Sequence, residues 1–321
     1  MLTVRQASDF LNLSYGRVKQ ILHENDLEFI KYDGINNGLL RIPPETIRKM
    51  VNLRGYDYHC PKVLTLGTQK GGVGKTFLST NLAVVLALRG LKVLLVDMDP
   101  EACATNTLLP SDADYMNLPT MLEVFKHGVL MEDAIVPSKY PNLDLIASKG
   151  KVRGIDRITL NQNPKKLMAD KIKKLKKKYD LIIFDLAPNF TPVTASCYLC
   201  ADLIIQPAFP NIYSLESVQL TLDDLKELCQ EFDAPMPQTK ILLNAFRASE
   251  KASRETRHEL ESKYKDQLLP FEIGKHQDVS NLINEGLSVL DTKTKATPDI
   301  VALANYVCRL EKNESVKNAG N

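Results

Sequence analysis

The feature that most constrains the fold of this chain is a glycine-rich loop between a short apolar run and a helix. The loop reads QKGGVGKT over residues 69–76; the apolar run at 63–69 predicts a strand, and a helix is predicted from about Lys75 to Arg89. Glycines allow successive backbone amides to turn toward oxygen atoms, and a helix N-terminus adds positive potential. The pattern predicts a phosphate-binding loop in which Lys75 reaches the β and γ phosphates and Thr76 binds Mg²⁺. The alternative is a glycine-rich turn without a ligand.

Apolar runs alternate with amphipathic helices from Lys62 onward. This alternation predicts an α/β fold, with a mostly parallel twisted sheet and helices on both faces. A final helix is predicted at about 298–312, followed by a polar tail at 313–321. Besides the strand at 63–69, strands are predicted at 92–99, 143–148, 180–188, 202–208 and 240–246.

Residues 1–55 have a different texture and predict a small separate domain, joined by a linker at 56–61. The predicted elements are helices at Val4–Leu11 and Tyr15–Asn25, a hairpin with turns at Asp33-Gly34 and Asn37-Gly38, and a helix that starts at Pro43-Pro44-Glu45. Their order resembles a winged helix-turn-helix of the MerR/excisionase kind.

That resemblance implies a second helix that presents Arg17 and Lys19, with Tyr15 and Gln20, to a DNA major groove. The charge of this domain is modest, with eight Lys or Arg against seven Asp or Glu over residues 1–60. DNA binding depends strongly on neutralising phosphates, so a domain for dimerisation or protein binding stays open as the alternative.

Aspartates follow two of the predicted strands. Asp97 and Asp99 end the strand at 92–99, and Asp185 lies near the end of the strand at 180–188. Carboxylates at the carboxyl ends of parallel strands, beside a phosphate loop, lie where Mg²⁺ and an attacking water need oxygen partners. An isolated aspartate in this position is otherwise often a helix cap.

These motifs together resemble those of ParA-type ATPases in the ParA/MinD superfamily, over roughly residues 62–312. KGGVGKT matches the deviant Walker A loop, in which Lys70 is the signature lysine, and Gln69 replaces the first glycine of the ordinary phosphate loop. The sequences DMDP at 97–100 and DLAP at 185–188 match the D-x-D-P and D-x-P-P motifs. Among the departures, Glu101-Ala102-Cys103 replaces the usual Gln-Gly-Asn.

The resemblance implies ATP or ADP and Mg²⁺ as cofactors. The implied catalytic residues are Lys70, which reaches the nucleotide of a partner protomer, Lys75, and Asp99, which positions the attacking water. The implied metal ligands are Thr76, Asp97 and Asp185. Asn244 would contact adenine, with a plain strand-end cap as its alternative role, and Pro270 would pack on the base. The implied nucleotide-binding residues are Lys70, Gly71, Gly72, Val73, Gly74, Lys75, Thr76, Phe77, Asn244 and Pro270.

The net charge of +2 conceals an uneven distribution. Residues 151–178 contain eleven Lys or Arg and two Asp, a net charge of +9, and include the helix predicted over KIKKLKKKY, with Ile172 and Leu175 facing the sheet. A dense basic patch favours non-specific DNA contact, whereas a solvated face or a partner surface is the alternative. The candidate DNA-binding lysines are Lys173, Lys174, Lys176, Lys177 and Lys178.

The resulting expectation is a slow, Mg²⁺-dependent ATPase that forms a homodimer on ATP, binds DNA non-specifically and drives plasmid or chromosome partition or cargo positioning. A ParB-like partner or another adaptor would stimulate hydrolysis. The absence of a signal sequence or a membrane span and the scattered cysteines predict a cytoplasmic, nucleoid-associated protein without a membrane partner. The alternatives are a transcriptional regulator with an ATP-gated dimer and a MinD-type membrane-positioning ATPase.

Overall fold

The N-terminal module begins with two short helices joined by a tight turn. The structure, a computed structural model, describes residues 1–32, 39–211 and 213–313. Thr3 caps the first helix, since its hydroxyl accepts from the Gln6 amide at 3.1 Å while the Gln6 side chain accepts from the Thr3 amide at 2.8 Å. The module contains β1 (Leu2–Thr3), α1 (Val4–Leu11), α2 (Tyr15–Glu24), β2 (Ile30–Tyr32), β3 (Leu39–Ile42) and α3 (Pro44–Leu53), and is followed by β4 (Tyr56–His59).

The strands of the module form a three-stranded antiparallel sheet in the order β1-β3-β2. The two strands of the predicted hairpin are therefore present as the antiparallel pair β2 and β3. The turns predicted at Asp33-Gly34 and Asn37-Gly38 lie outside the described residues.

A seven-stranded sheet forms the centre of the second part of the chain, which confirms the predicted mostly parallel α/β fold. All its neighbouring strands are parallel except the short edge strand Ile135–Pro137, which pairs antiparallel and which the sequence patterns did not predict. The strands are β5 (Val63–Leu66), β6 (Val93–Asp97), β7 (Ile135–Pro137), β8 (Leu143–Ile146), β9 (Leu181–Asp185), β10 (Leu203–Ala208) and β11 (Gln238–Leu243), in the order β11-β10-β5-β9-β6-β8-β7.

Both faces of this sheet are buried, as the continuous apolar runs predict. Along β9, Leu181 and Ile183 face one apolar cluster, and Ile182 and Phe184 face the other, in the two-residue period of a strand. The covering helices are α4 (Lys75–Leu88), α5 (Cys103–Leu108), α6 (Met121–Lys126), α7 (Ile155–Thr159), α8 (Pro164–Leu167), α9 (Ala169–Ile172), α10 (Leu175–Lys178), α11 (Pro192–Leu199), α12 (Tyr213–Glu231), α13 (Lys251–Tyr264), α14 (Asp278–Asn284) and α15 (Thr297–Val307).

The segment predicted as a linker at 56–61 contains a strand. β4 pairs antiparallel with β12 (Arg309–Lys312), with Tyr56 opposite Lys312. The final helix, predicted to reach residue 312, therefore ends at Val307, because Cys308 is extended and the next residues join this ladder. Residues 314–321 of the predicted polar tail lie outside the described part of the chain.

The single helix predicted over KIKKLKKKY is also wrong. α9 ends at Ile172, and α10 begins at Leu175 after an interruption at Lys173 and Lys174. Lys173 and Lys174 keep right-handed helical dihedral angles, with φ/ψ of −53°/−43° and −73°/−38°, so the interruption is a local break in helical hydrogen bonding. Ile172 and Leu175 are nevertheless completely buried, as their spacing predicts.

The N-terminal module packs tightly against the end of α4. Gly90 follows that helix with a φ of 100°, and a Cβ added there would lie 2.8 Å from the Pro44 carbonyl oxygen and 3.0 Å from the Arg48 amide nitrogen. Arg48 also forms an ion pair with Asp180, which precedes β9. The turn at Gly90 thus requires a residue without a side chain.

Replacing Gly90 with alanine should destabilise the protein by roughly 1–3 kcal/mol, because the backbone would be strained and the module displaced. Gly16→Ala is the matched control, since Gly16 lies in α2 with no atom within 4 Å of an added Cβ. It should leave stability unchanged or raise it by up to about 1 kcal/mol. Urea unfolding followed by circular dichroism measures both; equal effects would contradict this packing.

Candidate functional site

The loop between β5 and α4 forms an open cradle at the carboxyl edge of the sheet. Gly72 and Gly74 have positive φ of 70° and 88°, which turn the backbone around the centre of the loop. A Cβ on Gly74 would lie 2.3 Å from the Asn244 amide nitrogen, so this position excludes any side chain. α4 begins at Lys75 and points its N-terminus at the cradle.

The cradle opens into a cavity of about 380 Å³. Of the residues implied by the motifs, those that line it are Gly71, Gly72, Gly74, Lys75, Thr76, Phe77 and Asp99. Pro188 of the DLAP motif also lines the cavity, and the structure adds lining residues that the motifs did not identify: Thr80, Asn81, Thr107, Ile283 and Leu287. Asn81 lies on the same helix as the loop lysine, but no local sequence signal marks Ile283 or Leu287, because they come from a distant segment.

Lys75 lies at the floor of this cavity. Lys75 is 6% exposed, and its Nζ donates to the Lys70 carbonyl oxygen at 3.2 Å. Burial lowers the pKa of Lys75, and the carboxylates of Asp185, Asp99 and Glu101 oppose that shift. The ammonium group is thus surrounded by acidic side chains, in a site that has room for phosphate oxygens.

Asp97 and Asp185 lie side by side as register partners at the ends of β6 and β9, and both are completely buried. Asp97 is fully engaged within the protein. Its Oδ1 accepts from the Asp99 amide at 3.0 Å, and its Oδ2 accepts from the Thr105 amide and hydroxyl at 2.9 and 2.7 Å. This carboxylate already has the partners that a structural role requires.

Asp185 has no such partners. Neither of its oxygens has a hydrogen-bond partner of ordinary geometry among the described residues. Burial raises the pKa of Asp185, and the nearby hydroxyls of Thr76 and Ser79 oppose that shift. An unsatisfied buried carboxylate is costly, so this group fits a cation or a bound water beneath the loop.

Asp99 lies at the boundary between two cavities. It lines the cavity of the cradle and a neighbouring cavity of about 420 Å³, and its Oδ1 accepts from the Glu101 amide at 2.9 Å. Its side chain is partly exposed, so it can contact solvent inside the site.

Lys70 points away from the cradle. Its Nζ donates to Asn211 Oδ1 at 2.9 Å and lies 5.9 Å from the centre of the Tyr213 ring. It lines a separate cavity of about 790 Å³ between the loop and α12. The structure therefore does not bring this lysine together with Lys75 around a common centre.

The two residues implied as base contacts lie outside the lining of the cradle. Asn244 is buried, and its Nδ2 donates to the Val73 carbonyl oxygen at 2.8 Å, so it braces the loop from the end of β11. Pro270 is exposed on the surface. No group of three or more His, Cys, Asp or Glu side chains in the described residues could hold a metal unaided. A metal here would need phosphate or water oxygens as further ligands.

The candidate DNA-binding residues lie in two other places. On α2, Arg17 pairs with Glu24 at 3.4 Å, and Lys19 lies 5.3 Å from the centre of the Tyr15 ring. In the lysine cluster, which comprises Lys173, Lys174, Lys176, Lys177 and Lys178, four members are exposed and Lys176 is partly exposed. α10 leads directly into the start of β9, so this cluster lies toward the edge of the sheet opposite the cradle.

A parallel sheet whose β5 leads through a glycine-rich loop into α4 is the fold of P-loop nucleotide-binding proteins. Residues 61–236 match the model of the family described as an AAA domain. The chain therefore belongs to this AAA domain family. No helix among the described residues is long and apolar enough to cross a membrane.

Two curated relatives cover most of the chain. The cell division protein PomZ of Myxococcus xanthus is 27% identical over 241 residues, which cover 74% of this chain and 75% of PomZ. The sporulation initiation inhibitor protein Soj of Bacillus subtilis is 25% identical over 254 residues, which cover 77% of this chain and 98% of Soj.

Solved structures share the fold. The complex of Cyanothece McdA with ATP superposes with a TM-score of 0.68 at 20% identity, covering 77% of this chain and 95% of McdA. A putative plasmid partition protein of Borrelia burgdorferi bound to AMPPNP gives a TM-score of 0.65 at 22% identity, covering 77% of this chain and 98% of that protein. At this level of identity, the likeness establishes the fold alone.

The contrast between the two buried aspartates gives a paired test. Asp185→Asn removes an unsatisfied charge, so stability in EDTA should be unchanged or higher, while stabilisation by Mg²⁺ and AMPPNP should be lost. Asp97→Asn places an amide donor against the Thr105 donors and should cost about 1–3 kcal/mol with or without ligand. Thermal unfolding of both variants measures this. Equal ligand stabilisation of Asp185→Asn and wild type would contradict the assignment of Asp185.

Proposed function

We propose that this chain is a ParA-type ATPase that binds Mg·ATP in the cradle, dimerises on ATP and binds DNA in that state. A partner protein would stimulate hydrolysis, and the cycle would partition DNA or position a cargo. The observation that carries the nucleotide site is the buried carboxylate of Asp185 beneath a phosphate-type loop, whose oxygens have no hydrogen-bond partner of ordinary geometry among the described residues. Such a group suits a bound Mg²⁺ with its waters better than it suits an empty site.

The chain's own residues suggest a division of roles in this site. The loop amides and the N-terminus of α4 would hold the phosphates, with Lys75 at the β and γ groups and the Thr76 hydroxyl at the metal. Bound Mg²⁺ would neutralise charge that develops on the phosphate oxygens. Asp185 would accept from metal-bound water, and Asp99 would orient the attacking water where the two cavities meet. Asp97 would act as a brace for Thr105.

Lys70 supports the proposal of an ATP-dependent dimer. Its ammonium group faces away from its own cradle, with Asn211 as its side-chain partner, so its position suits contact with a second molecule. The chain's relatives support the wider role: PomZ is named for cell division and Soj for the inhibition of sporulation, and other relatives are chromosome partitioning proteins named ParA. Asn244 is better suited to bracing the loop than to contacting adenine.

We propose the lysine cluster as a DNA-binding surface because of its dense positive charge. The lysine cluster presents five cations within six residues, and among the described residues only Lys174 has an acidic side chain within 4 Å, at 3.9 Å from Glu132. The N-terminal module, with a tight turn before α2, supports a winged helix-turn-helix as a second DNA contact. Its candidate cations Arg17 and Lys19 are already engaged within the module, so we propose the lysine cluster as the principal surface.

Two lysine variants separate nucleotide binding from dimerisation. Lys75→Ala should abolish ATP binding, because Lys75 is the only cation among the described residues that line the cradle. Lys70→Ala should bind ATP with near wild-type affinity but remain monomeric with AMPPNP, because its side chain does not enter its own cradle. Calorimetry and light scattering measure the two steps. If Lys70→Ala forms as much dimer with AMPPNP as wild type does, Lys70 does not contribute to the dimer interface.

Replacing all five residues of the lysine cluster with glutamine should weaken ATP-dependent DNA binding. The salt dependence of binding should fall by about 1 in logarithmic slope for each lysine that contacts phosphate. Fluorescence anisotropy with unrelated DNA duplexes at several salt concentrations measures both. The control carries the same charge change on exposed lysines elsewhere: Lys92, Lys265, Lys275, Lys295 and Lys312. Equal loss in both variants would show that only total charge matters.

The alternative functions predict different results for the wild-type chain. A footprint on one DNA sequence, without ATP hydrolysis in the presence of DNA and partner, would favour a transcriptional regulator. ATP-dependent co-sedimentation with liposomes would favour a membrane-positioning ATPase. ATP hydrolysis that rises with unrelated DNA sequences, without liposome binding, supports the function proposed here.

A further inference from the structure

A further cavity, separate from the nucleotide site, lies between the N-terminal module and the ATPase part of the chain. Its volume is about 650 Å³, within the range of small-molecule sites. Leu2 and Phe10 line it from the module, Val85 and Arg89 from the end of α4, and Leu290 and Val301 from the C-terminal segment. Its walls come from three separate parts of the chain and are mixed, with an apolar part that includes Phe10, Val85 and Val301 and a larger number of polar or charged residues.

Arg89 is the unusual member of this lining. The residue is only 4% exposed, and its guanidinium forms no hydrogen bond or ion pair to the described residues. Its Nη1 is fully buried without a partner among the described residues, and the centre of the Phe10 ring lies 4.5 Å from Cζ. Burial lowers the pKa of Arg89 to about 10, so the group stays charged at neutral pH.

A buried guanidinium without a counter-charge is costly, and the aromatic face compensates only part of that cost. Among the described residues, two acidic side chains line the cavity, and neither forms an ion pair with Arg89. Asp9 is exposed, and Asp291 accepts from the Ser288 amide at 2.7 Å and from the Tyr140 hydroxyl. Two further cations, Arg41 and Lys293, also line the cavity, so the local charge favours an anion.

We propose that this cavity binds a small amphipathic carboxylate, with its carboxylate at Arg89 and its apolar body against Phe10, Val85 and Val301. A guanidinium pairs with a carboxylate through two parallel hydrogen bonds, which gives both charge neutralisation and orientation. The apolar part of the lining, which includes Phe10, Val85 and Val301, favours an occupant with a hydrocarbon body over a bare inorganic ion. An occupant would contact the module and the ATPase part together.

The site differs from the nucleotide cradle in position. α4 has 14 residues, so Arg89 lies about 20 Å from the loop at the opposite end of that helix. One segment of the chain reaches both sites. Ile283 and Leu287 line the cradle, and Val289 and Leu290 line the cavity at Arg89. The Val289 amide donates to Asn81 Oδ1 of α4 at 2.8 Å.

Octanoate and 1-octanol form a matched pair of probes that differ in charge. Isothermal titration calorimetry of the full chain should show saturable octanoate binding and much weaker binding of octanol. Arg89→Met should weaken octanoate binding roughly tenfold or more, because the charged partner is lost. Arg254→Met, which removes an exposed arginine of α13 outside the cavity, should bind octanoate like wild type.

A second variant keeps the test independent of any folding defect of Arg89→Met. Val301→Phe narrows the cavity while leaving Arg89 in place, and it should also reduce octanoate binding. Both variants should bind ATP like wild type, which shows that they are folded. No saturable octanoate binding to wild type, equal binding of octanol, or unchanged octanoate binding by both cavity variants would overturn the proposal.

Discussion

The candidate site depends on two buried carboxylates that lie side by side and must each be compensated by a polar or positive partner. Asp97 and Asp185 end neighbouring parallel strands in register, and both are fully excluded from solvent. Burial raises the pKa of each, and for Asp97 the proximity of Asp185 adds to the shift. The protein satisfies only Asp97, through Thr105 and the Asp99 amide. Asp185 therefore needs a positively charged partner, and the open cradle has room for a cation.

The elements around this pair hold the cradle in shape without filling it. Asn244 fixes the loop through the Val73 carbonyl, and Asn81 joins α4 to the segment that carries Val289. Lys75 supplies the nearest positive charge, yet it donates to a backbone carbonyl of the loop. A cradle that is braced from outside and open inside suits a ligand that brings both negative phosphate oxygens and a divalent cation.

Local sequence signals predicted the parts of the structure that local physics determines. The mostly parallel sheet follows from continuous apolar strands between helices, and the loop follows from its glycines and the adjacent helix start. The strand pair β4 and β12 could not be predicted in this way, because its partners are about 250 residues apart and each strand is short. The interruption between α9 and α10 is a local break in helical hydrogen bonding at Lys173 and Lys174, which the apolar spacing of Ile172 and Leu175 does not indicate.

In the candidate site, too, the features set by neighbouring residues could be predicted and those set by distant residues could not. The motifs indicated the residues that line the cradle from the loop, but not the roles that depend on distant partners. Asp97 differs from Asp185 because Thr105 and the Asp99 amide donate to its carboxylate, and Asn244 braces the loop because β11 ends beside Val73. Arg89 belongs to no sequence motif. Its guanidinium is buried because the N-terminal module, which contributes Phe10, packs over the end of α4.

The most direct measurement is a calorimetric titration of the wild-type chain with ATP, once with Mg²⁺ and once with EDTA. If the cradle binds nucleotide and Asp185 needs a cation, one ATP should bind per chain, with much higher affinity when Mg²⁺ is present. The absence of ATP binding, or equal affinity in EDTA, would contradict this assignment.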